Sequence, residues 1–95
     1  VTCASGSSPA YVYMFIEALA DAAVLYGLPR ELSYALASQM LAGTGKMQIE
    51  TKAHPGAMKD AVCSPGGITI KGVAELERKG FRGAVIDAID AVMRK

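Results

Sequence analysis

The stretch Pro9–Tyr26, PAYVYMFIEALADAAVLY, decides the fold class. After Pro9 only Glu17 and Asp21 interrupt an otherwise apolar run. Those two are four residues apart, so they share one face of a helix. A helix apolar on its remaining faces is covered on several sides. A bilayer is a poor host for it, since each carboxylate near the middle of a span costs roughly 2.5–3.5 kcal/mol. The run therefore predicts a helix central to a shared core, and no membrane. Ser8 reads as its N-cap with Pro9 at the first helical position. Gly27 stops it in the left-handed cap, with Pro29 close behind.

Working outward, residues 1–8 (VTCASGSS) read as a loop leading in. A second, long helix is predicted from Pro29 to about Lys52, rich in small residues: Ala35, Ala37, Ser38, Ala42, Gly43 and Gly45. Glycine costs about 1 kcal/mol against alanine inside a helix. Two so close imply that another backbone comes near, or that the helix breaks or kinks there. His54-Pro55 opens a short third helix through about Val62. Ser64-Pro65-Gly66-Gly67 is a turn signal. Ile70, Val73, Ala74 and Leu76 predict a helix over Thr69–Lys79, ended by Gly80. Phe81, Ala84, Val85, Ala88, Ile89 and Val92 form an i, i+3, i+4 stripe for a last helix. The expectation is a single all-α domain, residues 1–95, with five helices and no strand. The first helix carries more apolar surface than short neighbours can hide, which points to a homodimer sharing the core.

Composition agrees with one small domain. The chain has 95 residues, of which 52% are hydrophobic and 20% charged, so it is globular and holds one core. Net charge is +1 with basic residues scattered, which gives no footprint for nucleic acid. Two cysteines, Cys3 and Cys63, lie far apart without ligand-type spacing. They read as free thiols in a reducing, cytoplasmic compartment rather than as a disulfide or metal site. The chain starts at Val1 without a signal pattern, which reads as a fragment or a processed chain.

One segment has the shape of a ligand site: Ser64, Pro65, Gly66, Gly67, Ile68 and Thr69. A helix N-terminus offers unpaired N–H groups and partial positive charge, and glycines let a ligand approach the backbone. Ser64 and Thr69 add hydroxyls, so a carboxylate could be held there without Lys or Arg. From pattern alone the plainer reading is preferred: a tight turn with Thr69 as an ordinary N-cap. The lone His54 reads as a surface or helix-cap residue, and no Ser/His/Asp set forms around it. Glu17 and Asp21 read as a solvated stripe or a salt bridge. No dinucleotide or Walker motif is present. A helix-turn-helix DNA binder fails because the second helix is small and apolar where base-reading side chains are needed.

Several motifs, in order along the whole chain, resemble the helical domain of pyrroline-5-carboxylate reductases. Ser5-Gly6-Ser7-Ser8-Pro9-Ala10-Tyr11 is similar to that family's S-G-S-G-P-A-Y, with Ser8 where glycine is usual. Glu17-Ala18-Leu19-Ala20-Asp21-Ala22 and Gly27-Leu28-Pro29-Arg30 follow. Then come His54-Pro55-Gly56, Met58, Lys59-Asp60, Val62, Ser64-Pro65-Gly66-Gly67-Ile68-Thr69-Ile70 and Gly80-Phe81-Arg82. The resemblance implies a C-terminal dimerisation domain like that of 6-phosphogluconate dehydrogenase. It implies a parent enzyme of proline biosynthesis that reduces 1-pyrroline-5-carboxylate to L-proline by hydride transfer from NADPH or NADH. A missing N-terminal Rossmann domain would hold the cofactor, and this chain alone would be inactive. The resemblance assigns the substrate carboxylate to Ser64, Gly66, Gly67, Ile68 and Thr69, and so reverses the preference for a plain turn. It leaves the proton donor unassigned. The other reading is a stand-alone helical homodimerisation module without catalysis.

Overall fold

The structure, a computed structural model, describes Gly6 and residues 8–94. Among these residues there are five helices and no strand. They are α1 (Ser8–Leu25), α2 (Arg30–Thr51), α3 (Pro55–Ala61), α4 (Ile68–Arg78) and α5 (Phe81–Met93). The all-α expectation holds. Two compact units are present, one running to Thr51 and the other starting at Lys52.

The first unit is a helical hairpin. Ser8 is the first residue of α1 rather than its cap. Ser7, like residues 1–5, lies outside the described residues. Pro9 still sits in the first turn, where its missing N–H costs nothing. At the other end Gly27 takes φ +103°. Its N–H donates to Val24 C=O (3.0 Å), and Leu28 N–H donates to Ala23 C=O (3.1 Å). That pair of bonds is a complete Schellman cap, which satisfies the last carbonyls and turns the chain. Pro29 C=O then accepts from both the N–H (3.0 Å) and the hydroxyl (2.9 Å) of Ser33, opening α2. Ser33 is only 1% exposed, and this bond is what makes its burial affordable.

α1 packs along α2 through small residues. Ala20, Ser33 and Ala37 are the buried ones, flanked by half-buried Phe15, Ile16, Leu19 and Leu41. Small side chains let the two helix surfaces approach closely. Asp21 pairs with Arg30 across the connection, and the Arg30 guanidinium lies 5.7 Å from the centre of the Tyr34 ring. The Asp21 hydrogen bond pushes the Arg30 pKa further up, so this cation stays charged at any working pH. Both partners are solvated, so the pair adds little to stability.

The outer faces of this unit are not covered. On α2, Leu32, Leu36, Met40, Gly43 and Met47 recur at i, i+4, i+8, i+11 and i+15, and all are exposed. On α1, Met14, Ala18, Ala22 and Leu25 do the same. α2 runs unbroken through Gly43 and Gly45, so the predicted break is absent. Nor does another backbone come near among the described residues: apart from the helix's own turns, none of their atoms lies within 4 Å of where a Cβ would stand at either glycine. Each row is an exposed apolar stripe, and the one on α2 has room for close approach at Gly43. By length and composition α1 could also cross a membrane.

The second unit carries α3, α4 and α5. α4 packs on α5, with Ile70, Val73 and Ala74 half-buried on one helix and Ala88, Ile89 and Val92 on the other. Gly80, at φ +75°, is the joint between them: it follows the α4 cap and is itself the N-cap of α5. Phe81, Ala84 and Val85 continue the α5 stripe and stay exposed. No described residue of this unit is fully buried.

Candidate functional site

The site is built from the C-terminal end of α3, the turn that follows, and the first residues of α4. His54 is the N-cap of α3: its Nδ1 accepts from Gly56 N–H at 3.0 Å, with Pro55 at the first helical position. The helix closes seven residues later. Val62 N–H donates to Lys59 C=O (3.2 Å) and Cys63 N–H to Asp60 C=O (3.1 Å). Ser64 comes next.

Ser64 C=O accepts from Gly67 N–H at 3.0 Å and closes a four-residue turn. Pro65 occupies its second position, and Gly66 its third with φ +69°. This is a type II turn, in which the third residue must have positive φ and proline favours the second. Gly67 then extends (φ −78°, ψ 179°) and caps α4 with no side-chain hydrogen bond to the helix. The tight turn is present as read, but Thr69 is the second residue of α4 and not its cap. Glycine needs no side chain to hold this cap, and the turn delivers the chain in helical register one residue earlier than expected.

Ser64 and Gly67 are brought into contact. A Cβ on Gly67 would stand 2.6 Å from Ser64 Oγ and 3.3 Å from Ser64 O. The serine hydroxyl thus occupies the space that a larger residue would fill, beside the start of α4. Ser64, Gly66, Ile68 and Thr69 are exposed, and Gly67 is half-buried. The first turn of α4 carries no acidic residue. Its leading N–H groups, which no helical carbonyl can reach, have no carboxylate of that turn beside them.

Charge near the turn comes from α3 and α5. Lys59 donates to Asp60 at 2.9 Å, and this hydrogen bond pushes the Lys59 pKa up. Cys63 adds in the same direction and Arg82 opposes, so these groups share one neighbourhood. Sequence reasoning placed Lys59-Asp60 among the motifs shared with the family but gave Lys59 no role. Cys63 is a free, half-buried thiol, and Cys3 lies outside the described residues. Among the described residues no three His, Cys, Asp or Glu side chains gather as metal ligands. Glu17 is exposed, and Asp21 serves the Arg30 pair described above.

Comparison with known proteins gives the family. The family described as "pyrroline-5-carboxylate reductase dimerisation" matches residues 1–95. A pyrroline-5-carboxylate reductase of Escherichia coli is 63% identical over 91 residues, 96% of this chain and 34% of that protein. One from Glycine max is 54% identical over 95 residues, 100% of this chain and 35% of its own length. The chain thus spans about a third of the curated relatives it matches. Among solved structures, 1-pyrroline-5-carboxylate reductase from Streptococcus pyogenes superposes with a TM-score of 0.93 at 43% identity, covering 95% of this chain and 35% of that one. Plasmodium falciparum pyrroline carboxylate reductase with NADP bound superposes at 0.90 and 44% identity, covering 95% and 34%. A helical chain with two open apolar rows and a Pro-Gly-Gly turn opening α4, matched from end to end, belongs to the pyrroline-5-carboxylate reductase dimerisation family.

Proposed function

We infer that this chain is the C-terminal, homodimerising and substrate-holding domain of a cytoplasmic pyrroline-5-carboxylate reductase. The whole enzyme reduces 1-pyrroline-5-carboxylate to L-proline with NADPH or NADH. The observation that carries this reading is the turn at Ser64–Gly67, which feeds a helix start capped without a side-chain bond and with a serine hydroxyl beside it. Such a start binds a carboxylate through backbone N–H groups, with the dipole of α4 behind them. Ser64 and Thr69 supply hydroxyl donors, and Gly66 and Gly67 leave the backbone open to a ligand. Holding the carboxylate orients the ring, and positioning is the main contribution of a protein whose cofactor carries the chemistry.

The dinucleotide does not fit the residues described. They hold no strand, so no strand, glycine-rich turn and helix can cradle a pyrophosphate. We assign the cofactor to the part of the enzyme beyond this match. The exposed rows of α1 and α2 are assigned to a second copy, not to a membrane or nucleic acid. Glu17 and the Asp21–Arg30 pair oppose insertion of α1 into a bilayer, and the net charge of +1 offers no phosphate-binding face.

Thr69→Val in the intact enzyme tests the site. Losing one hydroxyl to a charged ligand costs ~1.5–3 kcal/mol, so KM for the pyrroline should rise roughly tenfold or more. KM for the nicotinamide cofactor should stay as it was. An unchanged pyrroline KM would overturn the assignment of Thr69 to the carboxylate site; an intact protein with no pyrroline turnover at all would favour the second reading, a dimerisation module without catalysis.

A further inference from the structure

His54 lies outside the turn assigned to the substrate, yet it is built into the element that carries that turn. α3 has only seven residues, and none of them is fully buried. A helix this short has too few internal bonds to hold itself, so its ends decide whether it forms. One end is closed by His54, whose Nδ1 takes the Gly56 N–H and whose backbone carbonyl takes Met58 N–H at 3.1 Å. Gly56 makes room for this: a Cβ there would stand 3.0 Å from Nδ1 and 3.2 Å from Cε1. The other end passes straight into the turn, since Cys63 N–H is bound to Asp60 C=O and the next residue is Ser64. Anything that frays α3 from its first turn loosens the anchor of Ser64.

We propose that His54 is a positioning residue for the substrate turn: its imidazole caps α3, and α3 holds Ser64 against Gly67. This role rests on the carboxylate site proposed above. A turn that is ordered only part of the time binds more weakly by that fraction, with no contact to the ligand changed.

The test uses the full-length reductase with His54→Ala and His54→Asn. Alanine removes the acceptor. Asparagine restores one, because its side-chain oxygen reaches the same N–H group. KM for 1-pyrroline-5-carboxylate should rise about fivefold in His54→Ala and return to within about twofold of wild type in His54→Asn. KM for the cofactor should stay constant in both, and amide exchange at Gly56 and along α3 should quicken only in the alanine variant. Turnover by wild type with an unchanged pyrroline KM in His54→Ala overturns the role, as does failure of asparagine to rescue. A wild-type enzyme that leaves the pyrroline untouched overturns the carboxylate site itself, and this role with it.

Discussion

Gly67→Ala should raise KM for 1-pyrroline-5-carboxylate roughly tenfold to a hundredfold, the scale of one lost hydrogen bond to a charged ligand (~1.5–3 kcal/mol). The backbone does not object to the change, because φ at Gly67 is −78°. The added methyl does the damage: its carbon would stand 2.6 Å from Ser64 Oγ and 3.3 Å from Ser64 O. The hydroxyl can rotate away, so the turn survives and the donor is lost. Ser64→Ala should therefore lose much of the same affinity, and the double variant should fall short of the sum of the two. Steady-state kinetics on the three variants check this. A wild-type KM in Gly67→Ala would mean that neither the hydroxyl nor the open backbone serves the substrate.

Leu36→Asp should break the homo-oligomer. Leu36 belongs to the exposed row Leu32, Leu36, Met40, Gly43 and Met47, and in a single chain it is 48% exposed. A carboxylate there reaches water in the monomer, so the hairpin should keep its helix content. Enclosed between two copies, it is a buried charge without a partner, which costs several kcal/mol. The dissociation constant should rise roughly a hundredfold or more. Sedimentation equilibrium, with circular dichroism as a control for folding, reads both effects. The unmodified chain should run as a dimer or larger, and Leu36→Asp as a helical monomer at the same concentration. A well-folded wild-type monomer, or a variant that assembles as before, would contradict the assignment of this surface.

Helix ends were legible in the sequence because their causes are local. Gly27 and Gly80 stop helices by taking positive φ, and Pro55 starts one behind a His54 cap; a few neighbouring residues specify each. The start of α4 was misread at Thr69 because a hydroxyl is the usual cap. Here a type II turn sets Gly67 in the cap position without any side-chain bond. The glycines of α2 were read as a close approach or a break, and among the described residues of one chain neither is found. Periodicity tells which face of a helix is apolar but not whose side chains cover it, and a core shared between copies leaves that face open in each. The turn at Ser64–Gly67 was visible as punctuation. Its contact between Ser64 Oγ and Gly67 was not, because spacing along a chain does not fix where a side chain points. The carboxylate reading came from the order of the motifs, and it is the proposal that the variants of Gly67, Ser64 and Thr69 test.

The central claim is tested most directly by pyrroline-5-carboxylate-dependent oxidation of NADPH or NADH by the product of the complete gene. The account predicts turnover that forms proline, with a pyrroline KM that rises when Thr69 or Gly67 is changed. A complete gene product that folds and assembles but leaves the pyrroline and the reduced nicotinamide untouched would contradict it. This chain would then be a dimerisation domain with no substrate to hold.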